Sequence, residues 1–251
     1  MKPARGALER TVRAAGDWIE RQVARASVFG DPCVYDPRLF PWTSGLEAEW
    51  RAIRGELDRV MEFREDLPSF QDVLPAVRAI TADPLWKTYF LMGIGMDCVE
   101  NARRCPQTMR LLRTIPGVKT AFFSILSPGK HIPPHRGAYN GILRLHLPLL
   151  VPEPRESCWI RIGAEVHHWT EGRCLIFDDT FNHEVRNDTS GYRVVLFVDF
   201  ARPLKSPFHR INETFLNMAA FAPFLREAGA RQRTWEEAFY RGEVRKGLPV
   251  D

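Results

Sequence analysis

The sequence of 251 residues predicts a mainly β protein, in which a double-stranded β-helix (a cupin-like jelly roll) is flanked by N- and C-terminal α-helices. Two observations predict this fold. From residue 119 to residue 203, short strand-like runs alternate with Gly, Pro, Asn or Asp at the spacing expected of a β-sandwich or jelly roll. On both sides of that segment, apolar residues recur at helical spacing. We therefore divide the chain into an N-terminal helical region, 1–118, a β core, 119–203, and a C-terminal helical extension, 204–251, which together form one structural domain.

The β core contains seven strand-like runs, each bounded by turn-forming residues. No internal repeat or low-complexity stretch interrupts them. The predicted strands are 120–126, 142–150, 158–162, 165–169, 173–179, 182–187 and 192–200.

Three helices are predicted before the core. They cover 1–28, 45–62 and 106–115, the last with Pro106 at its start and Pro116 ending it. The helical pattern returns after the core. There, one face of a further helix collects the apolar residues Phe208, Ile211, Phe215, Met218 and Phe221.

Composition narrows the class of protein. A chain that is 45% hydrophobic and 26% charged is typical of a soluble globular protein. The net charge of +4, with 35 basic residues scattered among 31 acidic ones, argues against nucleic-acid binding. No secretory signal and no apolar run of about 18 residues is evident, so we expect a cytoplasmic protein. An odd number of cysteines without a CxxC pair argues against a disulfide framework or a structural zinc site: Cys33, Cys98, Cys105, Cys158 and Cys174.

Two histidines, His135 in HIPPHRG and His183 in FNHEV, lie where predicted strands meet turns. A jelly roll brings such distant positions together at its open end. Two imidazoles in a cis arrangement suit non-haem iron(II), which keeps positions open for a cosubstrate and for oxygen. The usual third ligand, a carboxylate two residues after the first histidine, is replaced by Gly137. The alternative is that each histidine is an ordinary hydrogen-bonded residue.

Basic side chains accompany these histidines. Arg193 follows His183 by ten residues and points inward if the alternation of the predicted strand places Val195 inward. A buried arginine needs an anion, which a dicarboxylate ligand would supply through a bidentate contact. Arg144 and His146 alternate on one face of ILRLHLPLL and offer further donors. The alternative for Arg193 is an internal salt bridge, for example to Asp199.

With these residues in view, the segment 84–203 resembles the aspartyl/asparaginyl β-hydroxylases, and in particular their bacterial relatives that hydroxylate acyl chains of lipid A and of ornithine lipids. The similar pieces are HIPPHRG, RLHLPL, WTEGRCLIFDDTFNHEV, RVVLFVDFARP and the upstream block WKTYFLMGIG…CPQTMRLLRTIPGVKTAFFSIL. No single piece is specific, but the set is.

The resemblance implies that His135 and His183 bind Fe(II), with water in the position left by Gly137. It also implies that Ser124 places its hydroxyl on a carboxylate of the cosubstrate 2-oxoglutarate. The remaining 2-oxoglutarate contacts fall on Arg144, His146 and Arg193.

Asp179, four residues before His183, matches an acid that holds the water replacing the missing ligand. The alternative is that this residue is a turn-forming aspartate in the DDT sequence.

The implied reaction uses O2 and 2-oxoglutarate to hydroxylate a C–H bond, with release of succinate and carbon dioxide. In members that modify protein aspartate, another arginine lies two residues before Arg144, where this chain has Ile142. This difference favours an acyl chain or acyl-amino acid over an aspartyl or asparaginyl peptide as the substrate, and leaves a small molecule open.

Two other functions would use part of the same pattern. A cupin-like metal-binding protein or isomerase without oxygenase chemistry would use the same histidines but would not need Arg144 and Arg193. A halogenase could admit chloride at the position of the missing carboxylate, which the resemblance disfavours.

The helix predicted over 1–28 is basic and carries Trp18 beside its apolar stripe. Such a helix can lie on an anionic membrane. We therefore include a peripheral contact with the inner face of the membrane among the predictions. The alternative is that the stripe packs against the β core.

Overall fold

Ten β-strands form the centre of the protein in the computed structural model, which describes residues 3–242, with side chains from residue 14 onward apart from Ala15. The strands are β1 (Val34–Tyr35), β2 (Trp86–Met92), β3 (Val118–Leu126), β4 (His131–His135), β5 (Ile142–Leu150), β6 (Cys158–Ile162), β7 (Glu165–His168), β8 (Leu175–Phe177), β9 (His183–Asn187) and β10 (Arg193–Ala201).

The strands lie in two antiparallel sheets, a six-stranded one in the order β1-β8-β5-β10-β3-β2 and a four-stranded one in the order β4-β9-β6-β7. From β3 to β10 the chain passes repeatedly from one sheet to the other, and this winding defines a double-stranded β-helix. The predicted fold class is confirmed.

The described residues also form eight α-helices. They are α1 (Pro3–Ala26), α2 (Thr43–Ala48), α3 (Trp50–Met61), α4 (Phe70–Val73), α5 (Val99–Arg104), α6 (Pro106–Leu112), α7 (Phe208–Ala219) and α8 (Pro223–Arg241). The helix predicted over 45–62 is divided at Glu49, whose backbone leaves the helical region with φ −106° and ψ 14°.

Strict alternation along the strands of the larger sheet separates two cores. On β5, Leu143, Leu145 and Leu147 join a cluster beneath α3 and α6. On β10, Val195 and Phe197 face the smaller sheet and meet its Ile160. The second cluster is the interior of the β-helix, and the candidate site lies within it.

Three strands were not predicted. The shortest is β1, whose two residues pair with β8. β2 lies in the region expected to be helical, yet Phe90 pairs with Phe122 in the larger sheet, so this sheet begins well before residue 119. Most of β2 is buried, which removes the polar–apolar alternation by which a strand is recognised. β4 carries two prolines, which are tolerated because this strand lies at the edge of its sheet.

The last turns of α1 pack in a small cluster that is separate from the two core clusters. Val23 and Ala26 are buried against Leu204, whereas Trp18 and Ile19 are 58% and 44% exposed. Lys2 and the side chains of residues 3–13, which include most of the basic residues behind the membrane prediction, lie outside the described residues. Among the described residues, no helix combines the length and the apolar character needed to cross a membrane.

Candidate active site

His135 and His183 meet at one end of the β-helix. His135 is the last residue of β4 and His183 the first of β9, and the two face each other in the antiparallel register. Their ring centroids are 4.0 Å apart. The fold thus brings together two imidazoles that are distant in sequence, as the sequence predicted.

Hydrogen bonds fix the orientation of both rings. Nδ1 of His135 lies 2.8 Å from the carbonyl oxygen of Pro133, and Nδ1 of His183 lies 3.0 Å from that of Phe181. A nitrogen beside a carbonyl carries the proton, so each Nε2 keeps a free lone pair, the arrangement that metal-binding histidines use.

Electrostatics keep the two rings neutral. Burial, followed by His135 and Arg144, lowers the pKa of His183 to about 3. Burial also lowers the pKa of His135. Neutral imidazoles can donate their lone pairs to a metal ion. Within residues 3–242, no group of three or more His, Cys, Asp or Glu side chains is placed to bind a metal, so the arrangement is a pair of histidines rather than a complete protein cage.

The carboxylate of Asp179 fills the space beside Gly137. A Cβ atom at Gly137 would lie 2.2–2.3 Å from the carboxyl group of Asp179, and the Gly137 amide donates to the Asp179 carbonyl at 2.7 Å. A side chain at 137 is therefore incompatible with this position of Asp179. Burial raises the pKa of Asp179 to about 6, against the opposing effect of Arg144.

The turn-forming aspartate of the DDT sequence is the neighbouring Asp178. Its Oδ1 accepts from the backbone nitrogen of Thr180 at 2.9 Å and from the Thr180 hydroxyl at 2.6 Å. Oδ2 of Asp178 accepts from Arg202 at 2.9 Å. The turn role weighed for Asp179 thus belongs to the preceding residue.

Arg144 lies inside the β-helix and forms ion pairs with two carboxylates, those of Asp179 and Asp199. It donates to Asp199 through Nε at 2.9 Å and through Nη2 at 3.1 Å, and its Nη1 lies 2.8 Å from Asp179. Its guanidinium also lies over the ring of Phe197, 4.2 Å from the centroid. The salt bridge suggested between Arg193 and Asp199 is therefore wrong, because Asp199 pairs with Arg144.

Arg193 is buried without a partner. It is 2% exposed, and neither Nε nor Nη1 has a hydrogen-bond partner among the described residues. Its guanidinium lies over the Trp169 ring, 4.6 Å from the centroid. Burial lowers the pKa of Arg193 to about 10, with only the Cys158 thiol opposing the change. A cation in this position is costly unless an anion joins it.

Other unpaired polar atoms surround Arg193. Both ring nitrogens of His146 and Nε1 of Trp169 are buried without partners among the described residues. Burial, then the charges of Arg193 and Arg144, holds the pKa of His146 well below its usual value. Buried polar groups are normally satisfied, so this group of donors is incomplete without a polar ligand.

Ser124 lies on β3, opposite Val195 of β10, and its hydroxyl accepts from Nε1 of Trp86 at 3.0 Å. The hydroxyl proton remains available for an anion. Trp86 and Trp169 were missed by the sequence prediction. The only signal for either is a tryptophan that alternates inward on or beside a strand, which packing alone also explains.

The cavity between these side chains is small. Its volume is about 30 Å³, room for about one or two water molecules. The lining includes all the predicted site residues except Asp179, together with Trp86, Phe177 and Phe197.

The sequence model of the aspartyl/asparaginyl beta-hydroxylase family matches residues 47–203. An ornithine lipid ester-linked acyl 2-hydroxylase of Rhizobium tropici is 47% identical over 223 residues, covering 89% of this chain and 79% of the relative. The human aspartyl/asparaginyl beta-hydroxylase is 35% identical over 170 residues, covering 66% of this chain but only 22% of the relative.

Among solved structures, a prolyl-4-hydroxylase of Pseudomonas putida aligns with 61% of this chain and 86% of its own. The sequence identity is 14% and the TM-score is 0.39, a similarity from which no function follows.

Proposed function

The chain belongs to the aspartyl/asparaginyl beta-hydroxylase family, and from that premise we propose that it is an Fe(II)- and 2-oxoglutarate-dependent hydroxylase acting on an acyl chain. The observation that carries this proposal is the unpartnered guanidinium of Arg193 inside the β-helix. A carboxylate bound bidentately would supply the anion that this buried guanidinium lacks.

The residues fit iron(II). His135 and His183 are neutral imidazoles on facing strands, and a carbonyl group holds the Nδ1 atom of each. The Nε2 lone pair of each ring is therefore free, in a fixed orientation, to bind the metal. Space that a side chain at Gly137 would occupy is taken by the Asp179 carboxylate, which can accept a hydrogen bond from water. When bound between His135 and His183, iron(II) supplies the redox chemistry that couples O2 and 2-oxoglutarate to hydroxylation of a C–H bond.

The remaining residues bind, orient and exclude water. Arg193 binds the distal carboxylate of 2-oxoglutarate, and Ser124 donates its hydroxyl proton to the same group. His146 and Trp169 enclose this end of the ligand, so that the charge pair forms away from water, where it is strongest. Arg144 has a different role from the one first expected, because its contacts with Asp179 and Asp199 hold Asp179 in place beside the histidines.

An acyl chain is the substrate class best supported. The Rhizobium tropici relative, an acyl 2-hydroxylase, matches nearly the whole chain at 47% identity, whereas the match to the human protein covers 66% of the chain at 35% identity. Ile142, which begins β5, also offers no charge to grip an aspartate side chain.

The cosubstrate is tested by titrating 2-oxoglutarate into the protein loaded with Fe(II) under anaerobic conditions. A metal-to-ligand charge-transfer band that grows with 2-oxoglutarate and saturates at one equivalent is expected. Fe(II) binding without any such band would support a cupin-like metal protein instead. When the same titration is run on Arg193→Ala, the matched control is Arg161→Ala, because Arg161 lies on β6 outside the cavity and pairs with Glu184.

The substrate class is tested by succinate release with three sets of compounds: lipid extracts, acyl-amino acids and aspartyl peptides. We expect stimulation by acyl compounds and a product heavier by one oxygen atom. Stimulation by aspartyl peptides alone would contradict the acyl assignment while leaving the cosubstrate assignment intact.

A further inference from the structure

One face of α7, the turn after it and the first turn of α8 expose a set of large apolar side chains. The spacing of positions 211, 215 and 218 places them on one face of the helix, while Leu216 and Asn212 on the opposite face are buried. An amphipathic helix normally turns its apolar face to the core, and here that face is turned outward. This apolar patch consists of Ile211, Phe215, Met218, Phe221 and Phe224, which are 59%, 54%, 65%, 77% and 53% exposed.

The apolar patch adjoins the loop that leaves the candidate site. Tyr139, four residues after His135, packs edge-on against Phe215 with ring centroids 4.9 Å apart. Its hydroxyl also donates to Asn212 Oδ1 at 2.8 Å. Tyr139 contacts the cluster formed by α1 and Leu204 as well. The apolar patch, the end of α1 and the loop after His135 are therefore parts of one surface.

Unpaired positive charges lie on the elements that form this surface. Two come from the second half of α1, one from the segment before α7, one from the first turn of α7 and one from the first turn of α8. All are exposed, and within the part of the chain that the structure describes none forms an ion pair. These cations are Arg21, Arg25, Lys205, Arg210 and Arg226.

We propose that the apolar patch inserts into the surface of an anionic lipid bilayer and holds the entrance of the site against the membrane. Phenylalanine and isoleucine enter the acyl region, and the surrounding cations meet anionic head groups. A symmetric dimer through the same surface would place each group of cations opposite its copy, which disfavours a second chain as the partner. The proposal rests on the proposed function for its purpose, since an acyl substrate lies in the bilayer.

The test is co-sedimentation of the full chain with phosphatidylglycerol vesicles and with phosphatidylcholine vesicles, at low and at moderate salt. We expect binding to phosphatidylglycerol that weakens with salt. Phe221→Ser combined with Phe224→Ser should weaken binding by about a hundredfold, because two large side chains stay in water. The matched control is Val99→Ser with Val166→Ser, whose valines are 51% and 53% exposed outside the patch. This control should bind like the unchanged chain.

Three results would overturn the proposal: no binding of the unchanged chain to phosphatidylglycerol at low salt, equal binding by the two double variants, or light scattering that finds a dimer dispersed by the phenylalanine variant alone. The anaerobic 2-oxoglutarate titration is run on each variant in the absence of vesicles. An unchanged charge-transfer band together with failed vesicle binding would reject the membrane surface and leave the proposed function standing. Vesicle binding without the charge-transfer band would support the membrane surface and reject the proposed function.

Discussion

Strands β5 and β10 each have two faces, and the side chains on the two faces differ in chemistry. The outer face, with Leu145 and Leu196, lies against helices and is wholly apolar. The inner face of the same strands carries Arg144, His146 and Arg193, and several of its nitrogen atoms have no partner among the described residues. The outer face buries only apolar side chains, as an ordinary core does, whereas the inner face buries polar atoms that lack hydrogen-bond partners among the described residues.

This difference shows where stability and function separate. Apolar burial on the outer face contributes favourable free energy of folding. Polar burial on the inner face costs free energy that only a ligand can recover. Mutations on the outer face should therefore change stability and leave binding unchanged, and mutations on the inner face should change binding first.

The largest effect is expected at the histidines. His135→Ala or His183→Ala should abolish turnover, well beyond the roughly 100-fold that loss of an outer partner of a metal ligand costs. The fold should remain, because both residues lie at strand ends and contribute little to the apolar core. Activity and circular dichroism measure the two outcomes. His131→Ala is the control, since His131 lies on the same strand and pairs with Glu184 at 2.8 Å. Near-full activity of either variant with bound iron would refute the ligand assignment.

Arg193→Ala should weaken 2-oxoglutarate binding by about 2–5 kcal/mol, because it removes one partner of a buried charge pair. Anaerobic calorimetry measures the affinity. An affinity equal to that of the Arg161→Ala control would give Arg193 a structural role and remove the proposed distinction between the faces.

Leu145→Ala tests the outer face. Leu145 is fully buried in the cluster beneath α3, so its truncation should lower the free energy of unfolding by about 2–5 kcal/mol. The affinity for 2-oxoglutarate should stay the same. Denaturant titration and calorimetry check the two parts, and a parallel loss of affinity would show that the two faces are coupled rather than separate.

Gly137→Ala should lower stability by roughly 1–3 kcal/mol, since the added methyl group would overlap the Asp179 carboxylate. Combining it with Asp179→Ala should recover part of that loss, with a coupling free energy of about 0.5–3 kcal/mol in a double-mutant cycle. Strict additivity of the two changes would mean that Asp179 does not occupy the space beside Gly137.

The sequence was most informative where local pattern and fold agree. The bounds of β5 and β6 were predicted to the residue, because both strands alternate and end at turns. The meeting of His135 with His183 and the inward direction of Arg193 followed from strand ends and from alternation with period two. Strand bounds, strand-end positions and side-chain directions can be predicted because each depends only on the pattern of one strand and on the general architecture of a jelly roll.

Features that depend on contacts between distant segments were not predicted. That Asp199 pairs with Arg144 depends on the register of β5 with β10, which no local pattern gives. Arg193 lies six residues from Asp199 on the same strand, roughly 20 Å away, so spacing alone excludes that pair. The close approach of Gly137 to Asp179 likewise depends on how two loops pack. The apolar face of α7 has the pattern of a buried face, and no sequence rule reveals that it is exposed.

The central claim, that the inner face is built around an anion, is tested most directly by Arg193→Met. Equilibrium unfolding is measured anaerobically for the metal-loaded protein as 2-oxoglutarate increases. Without ligand, the variant should be more stable by about 1–4 kcal/mol, because a buried unpaired charge is removed. With ligand, the unchanged chain should gain about 2.7 kcal/mol at 100 times its dissociation constant while the variant gains little, so that the difference in stability shrinks or reverses. A variant that is less stable without ligand, or that gains as much from 2-oxoglutarate as the unchanged chain, would contradict the claim.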